Sequence, residues 1–204
     1  MIDINKNIKI AKTLPSTFYV DDKVFEKSKT IFEQSIQPIC STHELSEVTV
    51  YPFEYFSDFL SENLVITAKE GEFRCLSNIC THRAHLVASC KNNKGLLQCR
   101  YHGRTFDLKG KLKNAPGFGG AENFPTENDD LNMISIFNWN NFLFISLSDD
   151  IEVFNKLDQI DNILPEFPYL ELCKKPVRNE YILDCHWALY CDNYLEGFHI
   201  PFIH

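Results

Sequence analysis

The stretch that decides the fold is CTHRAHLVASCKNNKGLLQCRYHG, residues 80–103. It contains Cys80 and His82, spaced C-x-H, and then Cys99 and His102, spaced C-x-x-H. Each pair lies at the end of a short run that is typical of a β-strand, so we predict that each pair sits in a loop. Two such loops can face each other across one site and offer two thiolates and two imidazoles. The pattern therefore indicates a metal centre.

The combination of two cysteines and two histidines limits which kinds of metal centre are possible. An all-thiolate cluster is excluded because the chain has no four-cysteine pattern. A Cys2His2 zinc site is chemically allowed, but its usual spacing pairs like ligands, whereas residues 80–102 mix them. A [2Fe-2S] cluster with two cysteines on one iron and two histidines on the other uses this set. The pattern favours the iron-sulfur cluster and leaves a zinc-binding structural module as an alternative.

The sequence around these loops predicts an α+β fold that is mainly antiparallel β-sheet. Residues 21–35 form an amphipathic pattern with Asp21 as a plausible N-cap, which predicts a helix. Three hairpins are predicted, and they turn at residues 69–71, at Gly110 and at residues 138–141. Beyond residue 149 we predict a short helix, one strand over residues 177–187 and a helix over residues 187–199.

The last residues, DNYLEGFHIPFIH, suggest a second metal site. Asp192, Glu196 and His199 are spaced i, i+4 and i+7, which places them on one face of a helix. Pro201 should end or kink that helix and let His204 swing back toward His199. Two imidazoles and one carboxylate form the facial triad of non-heme Fe(II) oxygenases. The alternative is a buried polar helix end.

Several motifs together resemble one family, the Rieske non-heme iron oxygenases. CTHR and CRYHG, within FRCLSNICTHR and YHGRTFDLKGKLKNAPGF, are similar to the oxygenase form of the Rieske motif. The opening TLPSTFYVDDKVFEKSKTIFEQS agrees with it, and CDNYLEGFHIPFIH most resembles the branch that contains choline monooxygenase. Respiratory Rieske proteins add a cysteine to each loop, but here residues such as His85 and Arg100 stand there. Arg104 departs from the family, which commonly has Trp after YHG, so packing at this position should differ.

The resemblance implies cofactors and a role for each matching residue. A Rieske [2Fe-2S] cluster would be held by four ligands, which are Cys80, His82, Cys99 and His102. A mononuclear Fe(II) would be bound by His199 and His204, and Glu196 would relay electrons from the cluster of a neighbouring subunit. His85 is expected to lie outside the ligand set because the four cluster positions are filled.

The resemblance also implies a domain organisation. Residues 1–37 would be an N-terminal helical segment that packs on the catalytic domain, and residues 38–150 the Rieske [2Fe-2S] domain with its flanking helices. Residues 151–204 would be the truncated start of a helix-grip catalytic domain. The family's third iron ligand, an Asp, lies more than a hundred residues further on. We therefore expect the chain as given to be inactive by itself.

The activity implied for the complete enzyme is that of an oxidoreductase. Electrons would pass from a reductase or ferredoxin through the cluster to Fe(II), for O2-dependent hydroxylation or demethylation of a small organic substrate. Such subunits usually form homotrimers. The alternative is a stand-alone Rieske electron-transfer protein, which would have no use for Glu196, His199 and His204.

Composition limits the partners and the compartment. The net charge of −8 argues against nucleic acid and anionic membranes as partners. No apolar run is long enough to span a membrane and no export signal precedes the helix, so we expect a cytoplasmic protein. Its thiols should then be reduced. The cysteines outside the motif are expected to be small buried hydrophobes, namely Cys40, Cys75, Cys90, Cys173, Cys185 and Cys191.

Overall fold

The computed structural model describes residues 4–149, 152, 154–166, 168, 171 and 177–203. The chain forms two compact units, Ile31–Pro176 and a second unit made of Met1–Thr30 with Val177–His204. The predicted domain boundaries, after residues 37 and 150, stay predictions. Within the described ranges, no helix has the length and apolar character needed to cross a membrane.

The larger unit is built from antiparallel β-sheet, as predicted. Its strands, in chain order β1 to β9, are Gln37–Ser41, Val50–Tyr55, Glu62–Lys69, Glu72–Ser77, Leu96–Gln98, Thr105–Asp107, Leu112–Asn114, Met133–Trp139 and Phe142–Ser146. Six of them form one sheet in the order β1-β9-β8-β4-β3-β2, and the other three form a small sheet in the order β5-β6-β7. The small sheet carries one of the two Cys-His loops.

The predicted hairpins are confirmed, and their turns follow from residue type. The β8–β9 turn consists of Asn140 and Asn141, whose φ angles of 48° and 66° are both left-handed. Two-residue turns of this kind match the twist of paired strands, and asparagine tolerates them. Gly110, between β6 and β7, has φ 83°, and a Cβ there would lie only 3.2 Å from the carbonyl oxygen of Leu131. This turn therefore requires glycine.

Strand β3 separates two apolar clusters, because alternate residues of a strand point to opposite faces. Leu64, Ile66 and Ala68 belong to a cluster with residues of β9. Val65 belongs to the other cluster, which also contains the two motif cysteines. The two Cys-His loops are thus anchored in the core of this unit.

The helices confirm part of what the sequence predicted. They are α1 Asp22–Gln34, α2 Asn155–Ile163, α3 Trp187–Leu195 and α4 Ile200–Ile203. Asp21 caps α1 as predicted, since its Oδ1 accepts a hydrogen bond from the Lys23 amide at 2.8 Å. The strand predicted over residues 177–187 is wrong, because residues 177–186 belong to neither a strand nor a helix. Ile182 there is 93% exposed, and an alternating pattern forms a strand only beside a neighbouring strand.

Of the six cysteines outside the motif, the five that the structure describes are either buried or exposed. Cys40 and Cys75 are buried, and burial raises the pKa of the Cys75 thiol. Cys90, Cys185 and Cys191 are exposed, so the prediction that they are buried is wrong. A thiol is small and only weakly apolar, so its place in the fold decides its burial. Cys173 lies outside the described residues.

We predict that Ile66→Ala lowers the free energy of unfolding by about 2–5 kcal/mol, because the wild-type side chain is fully buried and its removal leaves a cavity. Urea denaturation measures this change. The control is Ile31→Ala in α1, where the side chain is 54% exposed and the expected change is within about 0.5 kcal/mol. Equal losses in the two variants would contradict the core described above.

Candidate metal centre

The two motif cysteines meet inside the apolar core. Cys80 follows β4 by three residues and is 3% exposed, and Cys99 directly follows β5 and is 1% exposed. Both pack in one cluster with apolar residues that include Leu76 and Phe106. The Cys99 thiol lies close enough to Cys80 to raise the pKa of the Cys80 thiol. The fold therefore brings together two sulfur atoms from loops 19 positions apart in the chain.

Both Cys-His loops are closed by the same pair of main-chain hydrogen bonds. In the first loop, the Cys80 amide donates to the His85 carbonyl at 2.9 Å, and the Ala84 amide donates to the Cys80 carbonyl at 3.0 Å. In the second loop, the Cys99 amide donates to the Arg104 carbonyl at 2.9 Å, and the Gly103 amide donates to the Cys99 carbonyl at 3.0 Å. The loops thus share one main-chain shape although their Cys-His spacing differs.

The same shape requires a left-handed residue at the fifth position of each loop. Gly103 has φ 76° and Ala84 has φ 52°. Glycine adopts this conformation without strain, whereas alanine in it is strained by its Cβ. The sequence alone gave no reason to compare these two residues.

The two histidines of the motif lie side by side. The ring centroids of His82 and His102 are 4.7 Å apart, and the Phe118 ring is 5.8 Å from that of His82. The Nδ1 atom of His82 is buried and has no hydrogen-bond partner. Buried polar atoms are nearly always paired, so an unpaired imidazole nitrogen beside a second imidazole fits a metal ligand.

The protonation states of these groups also fit metal binding. Burial is the main cause that lowers the pKa of His82, and the charges of His102, Arg104 and Arg83 lower it further. The imidazole is thereby kept neutral, which is the form that binds metals. Burial is the main cause that raises the pKa of Cys80, and the neighbouring Cys99 thiol raises it further. Two adjacent buried thiolates are costly unless a metal cation neutralises them.

The arrangement of these side chains is pairwise. Within the part of the chain that the structure describes, no three His, Cys, Asp or Glu side chains converge as ligands of a single metal ion. A structural zinc ion needs four ligands around one centre. A Rieske [2Fe-2S] cluster needs only two protein ligands on each iron. A pair of buried thiols and a pair of adjacent imidazoles therefore fit the two-iron cluster.

Arg104, the residue directly after YHG, is buried beside two phenylalanine rings, and the expected difference from the packing in the family stays a prediction. Its side chain is 5% exposed, and its guanidinium carbon lies 5.3 Å from the ring centroids of Phe118 and Phe124. Its Nη1 donates hydrogen bonds to Thr81, which lies between the two ligands of the first loop, and to Asp129. The only sequence signal for this role is a charged residue directly after YHG.

His85 lies on the surface of the first loop. Its ring is exposed, and its Nδ1 atom lies 2.8 Å from the carbonyl oxygen of Leu86. Its ring centroid is 5.7 Å from that of Tyr101. The expectation that His85 is not a ligand stays a prediction, and the position of its ring agrees with it.

The second predicted metal site lies in the unit formed by the two chain ends. His199 Nδ1 and Glu196 Oε1 are hydrogen-bonded, and the second carboxylate oxygen of Glu196 accepts a bond from the Phe198 amide at 2.6 Å. The bond from His199 is the main cause that lowers the pKa of Glu196. Asp192 accepts a hydrogen bond from the Tyr19 hydroxyl. His204 lies outside the described residues.

This site does not lie on a single helix, so the prediction that Asp192, Glu196 and His199 share a helix face is wrong. Helix α3 ends at Leu195, and Glu196 is extended with φ −97° and ψ 144°. The bond from the Phe198 amide to the Glu196 side chain replaces a helical hydrogen bond there. Pro201 neither ends nor kinks α3 but lies in the first turn of α4, where no amide donor is needed.

Comparison with known proteins identifies the class. Residues 35–125 match the family model of the Rieske [2Fe-2S] domain. The chain thus carries a Rieske [2Fe-2S] domain, and it resembles choline and carnitine monooxygenase oxygenase subunits beyond that domain as well. The bound group that defines this domain is a [2Fe-2S] cluster, and the catalytic sites of these oxygenases use mononuclear iron.

Individual relatives are oxygenases of quaternary ammonium compounds. The carnitine monooxygenase oxygenase subunit of Acinetobacter pittii is 30% identical over 97% of this chain and 54% of its own length. Choline monooxygenase of Arabidopsis thaliana is 25% identical over 95% of this chain and 49% of its own length. The crystal structure of the quaternary ammonium Rieske monooxygenase CntA with L-carnitine superposes with TM-score 0.78 at 26% identity, covering 96% of this chain and 56% of that one. The chain thus spans about half the length of these relatives.

We predict that Gly103→Ala lowers the free energy of unfolding by about 1–2 kcal/mol, because φ 76° is strained for alanine and the new Cβ would lie 3.3 Å from Pro116 Cγ. Ala84→Gly at the matching position of the other loop should change it by less than about 1 kcal/mol, since relief of strain opposes the greater entropy of the unfolded chain. Urea titration of both variants measures these changes. A larger loss in Ala84→Gly than in Gly103→Ala would contradict the common loop shape.

Proposed function

We propose that this chain is the cluster-carrying part of a Rieske-type oxygenase, in which the four motif residues bind the [2Fe-2S] cluster. The ligands are Cys80, His82, Cys99 and His102. The observation that carries this proposal is that two loops of one shape supply a pair of buried thiols and a pair of adjacent imidazoles. The unpartnered Nδ1 of His82 supports it further.

The proposed ligands differ in their access to solvent, and this difference suggests their roles. The cysteine end is in the apolar core and excludes water, whereas His102 is exposed. When bound, the cluster would accept and release one electron at a time. Electrons from a reductase or ferredoxin would therefore enter on the histidine side, where Arg83, Arg100 and Tyr101 are also exposed. These side chains would form the contact with the donor protein.

We propose further that His199 and His204 bind a mononuclear Fe(II), which would supply O2 activation in the complete enzyme. The Glu196 carboxylate holds the His199 ring through Nδ1, and Nε2 is the nitrogen that would bind the metal. A carboxylate behind an imidazole ligand fixes its orientation, and the same carboxylate can accept a bond from a histidine of another subunit. Inter-subunit electron transfer described for CntA supports this role of Glu196, and the homotrimer stays a prediction.

The substrate class follows from the relatives. Choline and carnitine monooxygenases are oxygenases named for quaternary ammonium substrates. We therefore propose O2-dependent hydroxylation or demethylation of a small organic substrate, with quaternary ammonium compounds tested first. The expected inactivity of the 204-residue chain by itself and the cytoplasmic location stay predictions.

A stand-alone Rieske electron carrier is the second candidate. The Glu196–His199 pair argues against it, because electron transfer through the cluster alone does not require this pair. The two candidates therefore differ in whether residues near position 199 bind a metal.

For the cluster, we predict that Cys99→Ser or His102→Ala abolishes the Rieske visible absorption and the EPR signal of the reduced protein, because each removes a proposed ligand. Anaerobic reconstitution with iron and sulfide gives the material for both spectra. The control is His85→Ala in the first loop, which should keep both signals. A full loss of signal in the control would contradict the ligand assignment, and a colourless wild-type protein would contradict the cluster itself.

For the second site, we predict that His199→Ala weakens the binding of Co(II) to the cluster-loaded protein by at least about tenfold, because it removes one proposed ligand. Isothermal titration calorimetry measures this affinity. The control is His43→Ala, which changes an exposed histidine of the other unit and should leave the affinity unchanged. An unchanged affinity in His199→Ala would favour the stand-alone carrier.

A further inference from the structure

Arg104 is a buried cation at the point where the two Cys-His loops meet a third segment. It directly follows the left-handed Gly103, and its carbonyl closes the second loop by accepting the bond from Cys99. Its side chain is 5% exposed. Arginine is almost never buried without partners, and its guanidinium stays protonated in proteins. The charge of Arg104 is therefore held in the protein interior.

The side chain of Arg104 joins both loops to the segment after β7. Nη1 donates to Thr81 Oγ1 at 3.1 Å and to Asp129 Oδ1 at 3.4 Å, and Thr81 in turn donates to the Asp129 carbonyl at 2.7 Å. The rings of Phe118 and Phe124 lie on the guanidinium. These contacts hold the cation in one place beside both loops.

The positive charge of Arg104 is only partly compensated. Among the described residues, Asp129 is the one carboxylate within ion-pair distance, and its nearest oxygen is 3.4 Å away. The Nε atom is buried and has no hydrogen-bond partner. A buried charge is screened by solvent much less than an exposed one. Arg104 belongs to the second loop, and its Nη1 bonds Thr81 between Cys80 and His82 of the first loop, so its charge lies close to both loops.

We propose that Arg104 is a positioning residue that raises the reduction potential of the cluster at Cys80, His82, Cys99 and His102; this inference rests on the cluster site proposed above. Reduction adds one electron, taken from the donor, and so one negative charge to the cluster. A fixed cation nearby stabilises the reduced form more than the oxidised form. Asp129 opposes this effect in part, because its negative charge lies on the same guanidinium.

The test is a redox titration of the cluster-loaded protein, followed by the EPR signal of the reduced form. Arg104→Gln should lower the equilibrium constant for one-electron reduction by about tenfold, a fall of about 59 mV. Arg104→Lys keeps the charge and should stay within about threefold of wild type. The matched control is Arg100→Gln in the same loop, where the exposed charge should matter less than about threefold.

Asp129→Asn gives a second test with the opposite sign. It removes the carboxylate on the Arg104 guanidinium, so the reduction potential should rise above that of wild type. If Arg104→Gln does not retain the cluster, Asp129→Asn tests the electrostatic role of Arg104 by itself. A potential at or below the wild-type value in Asp129→Asn would then overturn the proposal.

Other outcomes are equally distinct. Equal shifts in Arg104→Gln and Arg104→Lys would assign the effect to packing and overturn the electrostatic role. A shift in Arg104→Gln no larger than that in Arg100→Gln would overturn it as well. Absence of the Rieske spectrum in the wild-type protein would instead overturn the proposed cluster site, so the two failures are separable.

Discussion

The paired main-chain hydrogen bonds that close the two Cys-His loops are the constraint on which the site depends. Each cysteine amide and carbonyl is bonded within its own loop, so each thiol projects from a closed turn. The turns require a left-handed fifth residue, and the chain provides Ala84 and Gly103 there. Because both loops have one shape, their sulfur atoms and imidazoles can form matching pairs.

The position of these loops in the fold explains why the cysteine side of the site is buried and the histidine side is exposed. Cys80 and Cys99 belong to the apolar cluster between the large and the small sheet, whereas His102 reaches the surface. A site with a dry thiol side and an accessible imidazole side suits electron exchange with a partner protein. Arg104 adds a fixed positive charge beside both loops, at a position where the family commonly has an aromatic residue.

Local sequence patterns correctly predicted a hairpin turn and a helix cap. The asparagine pair at residues 140–141 and the Asp21 cap of α1 act within a few residues, and both were predicted. The strand expected over residues 177–187 needed a neighbouring strand. The helix expected through His199 ends earlier, and the Glu196 side chain accepts a hydrogen bond from the Phe198 amide there. A pattern of apolar and polar residues does not show whether a neighbouring strand or a competing side-chain hydrogen bond is present.

The sequence by itself predicted the chemistry proposed for this protein: two cysteines and two histidines at Rieske spacing, in loops between predicted strands, in a chain with an oxygenase-like Glu196 and His199. The spacing suffices because ligand type and loop geometry are local properties. Only the tertiary structure decided which atoms meet across long stretches of chain, among them the two thiols, the adjacent imidazoles and the contacts of Arg104. Those pairings depend on how the sheets pack, and packing is a property of the whole fold.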